Sequence, residues 1–321
     1  MKVCFYTDGH LGDFLLTIPF LRLLIDKYPD NEYYQCVHGA DGTRYPDIFL
    51  KTVPNLNPSE DRCGDINIPT HFGLEYQHLH LTGEEARKNL DPYFDLFSIQ
   101  RYYWEYVYPK YGFDVEIPDD IGLDFDLKSI LDKESVSAIE KINTSRRKVL
   151  FINPKIRSSQ TDNEDWLGRV FALSKLHPTY DFYYTNPEPR YKWQDSDTRV
   201  SMPLDYSSIM LEEDGDVEVN EENVFYTPSI FGNHPTDILH NAYLSTFCDI
   251  IVGKNCGALT AISMHNNNVL DSNKVLITQN NANIHYPDLE CFYNRRLYKA
   301  RNIHTQSSKE SFDVVEEILC Q

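Results

Sequence analysis

This sequence predicts an α/β protein of two Rossmann-like domains facing across a cleft, and three stretches carry the prediction. Residues 1–30, MKVCFYTDGHLGDFLLTIPFLRLLIDKYPD, pass from a short apolar segment through a glycine turn into a broad apolar helix. Residues 148–176 repeat that order. Residues 249–260, DIIVGKNCGALT, show it again. Strand, glycine turn and helix form the repeating unit of parallel α/β sheets. Their turns lie at the carboxyl edge, where ligands bind.

Residues 2–7 are rich in Val, Phe and Tyr, as in a buried strand. Asp8, Gly9, His10, Leu11 and Gly12 form the turn. From Asp13 on, Leu15, Leu16, Ile18, Phe20, Leu21, Leu23, Leu24 and Ile25 mark one broad helical face. Pro19 inside that pattern predicts a kink or a late helix start. The turn lacks GxGxxG spacing, so it is no dinucleotide fingerprint. It offers a carboxylate instead: Asp13, at the mouth of a helix. A helix cap is one reading of it. A general base on the rim of a cleft is the other.

Residues 12–22, GDFLLTIPFLR, resemble the N-terminal motif of the heptosyltransferase-like glycosyltransferases. The resemblance implies an inverting enzyme with two Rossmann-like domains, of the GT-B type. It assigns Asp13 the role of catalytic base and places Gly12 and His10 beside the acceptor. The co-substrate it implies is a nucleoside-diphosphate sugar, with no further cofactor and no metal.

A chain of 321 residues suits two domains with ample core. Its 41% hydrophobic and 13% aromatic content excludes disorder. With 30 basic against 49 acidic residues, the net charge of -19 disfavours nucleic acid and anionic membrane surfaces. A nucleotide would then need a local basic pocket. No 18-residue apolar run spans a membrane, and peripheral membrane contact stays open. The N-terminus shows no signal-peptide pattern. The 7 cysteines include no CxxC pair and read as reduced thiols of a cytoplasmic protein.

Further along, residues 33–37 predict a strand and residues 38–67 a loop-rich stretch. His71, His78 and His80 invite a metal reading, but no nearby ligand set completes a known spacing. Residues 91–113 hold ten aromatic side chains. An amphipathic helix feeding rings into the core explains them. A sugar-stacking platform is the alternative, led by Tyr103 and Trp104. The D-x-D string at residues 124–126 recurs at 195–197 and 214–216. Residues 128–142 predict a helix, and residues 143–147 break it. That break sets the expected boundaries: 1–145 for the acceptor domain and 146–305 for the donor domain.

After the strand at residues 148–153 comes a polar loop with Lys155, Arg157, Ser158 and Ser159. Two cations at a strand end stand out in so acidic a chain, as a diphosphate clamp. The resembled family places hydroxyls and a Lys against the donor phosphates in this loop. A helix over residues 165–176 follows, then strands at 180–185 and 223–227, a helix at 238–247 and a strand at 249–253. Asn255, Cys256, Gly257 and Thr260 then match the family's Asp-Thr-Gly-Pro/Leu-x-His turn, which binds the nucleotide diphosphate through backbone amides. The Gly is kept. Asn replaces the Asp, Cys replaces the Thr, and the His position falls at Thr260 or Ala261. A strand at 273–278 and a terminal helix at 309–319 complete the chain. The resemblance sends residues 306–321 back onto the N-terminal domain. Two other classes stay open: a metal-dependent GT-A transferase using a D-x-D string, and a non-catalytic carbohydrate-binding protein. Donor sugar, acceptor and oligomeric state are not legible.

Overall fold

A computed structural model describes residues 1–7, 11–38, 47–70, 104–105, 107–118, 126–142, 145–152, 166–185, 222–232, 238–254, 257–262, 273–279 and 301–321. For residues 11–13, 257, 258 and 260 it describes the backbone only. The chain forms two compact units. The first is built on Met1–Asp126. The second takes the chain from Leu127 and includes Lys299–Gln321.

In the first unit β1 (Lys2–Tyr6) leads into α1 (Leu11–Lys27), then β2 (Glu32–Cys36), β3 (Leu56–Ser59) and β4 (Ile66–Pro69). The sheet order is β3-β2-β1-β4, and every pair is parallel. β3 and β4 fall inside or just past the stretch expected to be loop. Pro58 and Pro69 lie on them, and both strands are edges, where a missing amide need not break a ladder. α1 starts at Leu11 and runs through the buried Pro19, so the expected late start does not occur. The apolar face holds the helix together: Phe14, Leu15, Ile18, Phe20, Leu21 and Leu24 are all buried. Each contributes on the order of 2–3 kcal/mol.

An aromatic column links that helix to the sheet. Tyr33 stacks on Phe5 at 5.9 Å, Phe5 meets Tyr108 at 6.4 Å, and Tyr108 lies 3.7 Å from Trp104. Trp104 in turn stacks on Phe20 at 5.5 Å. The turn Tyr108–Tyr111 that presents these rings closes on Gly112 at φ 83, a left-handed conformation suited to glycine.

The second unit opens with two short helices, α2 (Leu127–Ile130) and α3 (Lys133–Glu140), where the sequence predicted one. Asp132 separates them and caps α3, accepting the Ser135 amide at 2.8 Å. Both helices pack within this unit. Ser135 donates to the Phe231 carbonyl and Tyr243 to Glu140. The break between units therefore falls at Asp126, ahead of the boundary expected near residue 145.

β5 (Arg147–Phe151), α4 (Trp166–Leu176), β6 (Tyr180–Tyr184), β7 (Val224–Tyr226), α5 (Pro228–Phe231) and α6 (Ile238–Ser245) follow. Then come β8 (Ile250–Lys254), α7 (Gly257–Ile262), β9 (Val275–Gln279), β10 (Arg301–Thr305) and α8 (Ser308–Leu319). All six strands are parallel, in the order β10-β9-β8-β5-β6-β7. Renumbered from β5, that is the 3-2-1-4-5-6 order of doubly wound nucleotide-binding sheets, and the first unit shows its 3-2-1-4 portion.

One core face gathers Phe151, Phe182, Ile250, Val252 and Ile277 under α4 and α8. Phe312 of α8 stacks on Phe151 at 5.4 Å and meets Trp166 edge-on at 5.2 Å. This corrects the expected course of the terminal helix. Its apolar face, Phe312, Val315, Ile318 and Leu319, is buried in the second unit's own core.

Candidate functional site

Each unit has a topological switch point, where the chain leaves its first strand in one direction and later returns to that strand's other side. In the first unit it lies between β1 and β4. The strand ends are zipped there: the Thr70 amide and hydroxyl both donate to the Tyr6 carbonyl, at 2.8 and 3.1 Å. Thr7 and Thr70 are buried. The chain continues from β1 through residues 8–10 into α1. Gly12 and Asp13 are the second and third residues of that helix. Asp13 thus sits in the first turn, where the helix has unpaired amides and its dipole favours an anion. It lies inside the helix rather than at the flanking position of a cap.

In the second unit the switch point lies between β5 and β8, which pair as Val149↔Ile250, Leu150↔Ile251 and Phe151↔Val252. The Ile152 amide continues the ladder to the Val252 carbonyl at 2.8 Å. Two predicted segments therefore leave adjacent strand ends. One carries Lys155, Arg157, Ser158 and Ser159, and the other carries Asn255 and Cys256. Those six residues lie outside the described residues. Gly257 opens α7, and Thr260 lies within it. Gly253, which sequence reasoning passed over, sets the packing. A Cβ there would meet Ile152 Cβ at 3.0 Å and Leu259 Cδ1 at 3.2 Å. A glycine in a buried strand was the available signal.

Lys254 is the other residue that sequence reasoning did not single out as a site. It ends β8 at 3% exposure and pairs in register with Gln279, itself 5% exposed. Gln279 belongs to a polar chain: Trp166 Nε1 donates to Ser308 Oγ at 2.8 Å, and Ser308 donates to Gln279 Oε1 at 3.0 Å. A buried ammonium at the carboxyl end of a central strand is costly unless a partner compensates it. Lys254 ends the strand that pairs with β5 at the switch point.

Trp104 does not serve as a sugar platform. It is 2% exposed, and Tyr108 and Phe20 cover its ring. The core reading of the aromatic stretch holds for Trp104, Tyr108 and Phe113, all buried. His10 and Tyr103 lie outside the described residues. So do His71, His78 and His80 and the D-x-D strings, except Asp126. Among the described residues no cluster of His, Cys, Asp or Glu could hold a metal ion, and no helix is long and apolar enough to cross a membrane.

No protein-family model matches the sequence, and no curated protein matches it. Solved structures to which the chain is similar include a glycosyl transferase family 9 protein from Veillonella parvula. That match has a TM-score of 0.47 and 12% identity, covering 99% of this chain and 88% of the other. The E. coli ADP-heptose lipopolysaccharide heptosyltransferase II matches with a TM-score of 0.46 and 12% identity, over 100% of this chain and 99% of its own. The E. coli heptosyltransferase WaaC with ADP matches with a TM-score of 0.47 and 10% identity, over 99% and 97%.

Proposed function

We propose that the chain is an inverting, metal-independent glycosyltransferase of the cytoplasm, moving a sugar from a nucleoside-diphosphate sugar to a hydroxyl of a glycan or glycoconjugate. The observation that carries this is the position of Gly12 and Asp13, in the first helical turn after the first strand, beside the switch point of a parallel sheet. Ligands of open α/β sheets bind at such points. The GDFLLTIPFLR motif supports the same reading.

In this mechanism the acceptor lies against the first unit, near His10, Gly12 and Tyr103. Asp13 takes the proton of the acceptor hydroxyl as its oxygen attacks the anomeric carbon. Attack comes from the face opposite the leaving group, so the configuration inverts. The nucleotide is held at the second unit's switch point. Lys155 and Arg157, the hydroxyls of Ser158, Ser159 and Thr260, and the turn Asn255, Cys256 and Gly257 meet the charge that grows on the departing diphosphate. Fixed cations and amides there take the role a divalent metal plays in other transferases.

The test is Asp13→Asn, assayed after a panel of nucleotide sugars has identified a donor by thermal shift. Transfer should fall by about 10²–10⁴-fold, the usual weight of a positioned general base. Donor affinity should stay within about twofold. A variant that turns over normally would leave Asp13 a helix-terminus residue only.

A further inference from the structure

The segment between β3 and β4 crosses one face of the first sheet in six residues, 60–65, passing over β2 and β1. It packs on two small side chains of that face. The Cys36 thiol donates to the Glu60 carbonyl at 3.8 Å, and the Cys4 thiol to the Asp61 carbonyl at 3.7 Å. Gly64 lies so close that a Cβ on it would stand 2.9 Å from Cys4 Cβ and 2.6 Å from the Cys4 amide nitrogen. The neighbouring residue, one Cα step of about 3.8 Å away, is Cys63. It lies close enough to act electrostatically on the Cys4 thiol. Cys4 is buried and Cys63 is exposed.

The crossover is pinned on both sides of Cys63. The Arg62 guanidinium lies 3.7 Å from the Tyr6 ring centroid. Gly64 and the Asn67 side chain exchange hydrogen bonds at 3.2 Å. The Lys2 amide donates to Asp65 at 2.8 Å. The fold therefore holds residue 63 next to Cys4.

We propose that Cys4 and Cys63 are a reversible dithiol–disulfide pair, a modification site oxidised by low-molecular-weight disulfides such as oxidised glutathione. The exposed Cys63 thiolate attacks the small disulfide and expels one thiolate. The Cys4 sulfur, giving up its proton, then attacks Cys63 and expels the second. Two protein thiols are oxidised and one small disulfide is reduced to two thiols. Attack begins at Cys63 because burial pushes the Cys4 thiol up to about 11, leaving little thiolate at neutral pH.

The experiment treats the full chain with oxidised glutathione, alkylates the remaining thiols and maps tryptic peptides without reduction. The expected product joins the peptide of residues 3–22 to the peptide of residues 63–87, and dithiothreitol reverses it. Cys63→Ser should abolish the link, while Cys320→Ser, also at an exposed site, should keep it. Closing a loop of about 60 residues should raise the melting temperature of the oxidised wild type by several degrees and leave Cys63→Ser unmoved. A glutathione adduct that persists on Cys63, a link to any other cysteine, or no oxidation at either thiol would overturn the proposal.

Discussion

Lys274→Met removes one buried charge that three backbone carbonyls receive. Lys274 is 5% exposed, one residue before β9. Its Nζ donates to the carbonyls of Ser245 at 2.9 Å, Thr246 at 2.8 Å and Cys248 at 2.9 Å. Those carbonyls close α6 and the turn after it, where a helix leaves acceptors unpaired and its dipole favours a cation. Three bonds from a charged donor are worth about 1.5–3 kcal/mol each. Against that stands the desolvation of one ammonium, several kcal/mol after relaxation. Methionine keeps the stem and removes that cost, but it takes the ammonium from the Thr246 and Cys248 carbonyls at about 1–3 kcal/mol apiece, while the Ser245 carbonyl keeps the Cys248 amide at 3.1 Å. The balance is a destabilisation of about 2–4 kcal/mol. Urea unfolding followed by far-UV circular dichroism measures it, with Lys309→Met as control. Lys309 is a surface partner of Asp313, and its loss should stay within about 0.5 kcal/mol. If both variants lose the same small amount, the buried ammonium breaks even and the accounting above is wrong.

The terminal helix and the alkaline limit give two further tests. Phe312→Ala should cost about 3–5 kcal/mol, because it opens a cavity between Phe151 and Trp166. Trp166 fluorescence should report the loosened core, and an unchanged midpoint would deny the docking of α8. Burial pushes the Cys248 thiol up to about 12 and the Cys4 thiol up to about 11, and it raises Tyr183 as well. Raised pKa values mean that the folded chain keeps protons the unfolded chain has lost. The stability from these groups is whole below about pH 9 and drains as the pH climbs toward about 11. Urea unfolding at about pH 8, 9.5 and 10.5 should show a steady fall. A flat profile would mean that the thiols and the phenol are hydrated in the fold.

Much of the fold was legible because central strands of a parallel sheet are covered on both faces. Residues 2–7, 148–153, 180–185 and 249–253 read as continuous apolar runs for that reason, and each falls on a strand. Of the edges among the described strands, β7 was read at residues 223–227 and the other three were not. β3 reads LNPS, β4 INIP and β10 RNIHT. An edge strand is half covered, needs fewer apolar side chains and tolerates proline. Amphipathicity likewise announced that residues 309–319 bury a face, but not which surface receives it. Phe312 settles that by stacking on Phe151. Lys254 escaped notice for a plain reason: lysine is among the residues most often exposed, and nothing local in the sequence marks this one as buried.

The site positions follow from topology by a route independent of the motif. In each unit the chain builds outward from its first strand, β1 to β2 to β3 and β5 to β6 to β7, then returns to the first strand's other side with β4 or β8. Right-handed crossovers put the two directions of winding on opposite faces of the sheet. The first strand is then the line where the coverings part, and its carboxyl end opens as a crevice. The residues that follow β1 are 8–13, and those that follow β5 are 153–160. These segments hold Asp13 and the Lys155–Arg157 cations, which the sequence marks by charge and by their place after a strand. A carboxylate after one first strand and two cations after the other match what the proposed base-assisted transfer from a diphosphate donor would call for.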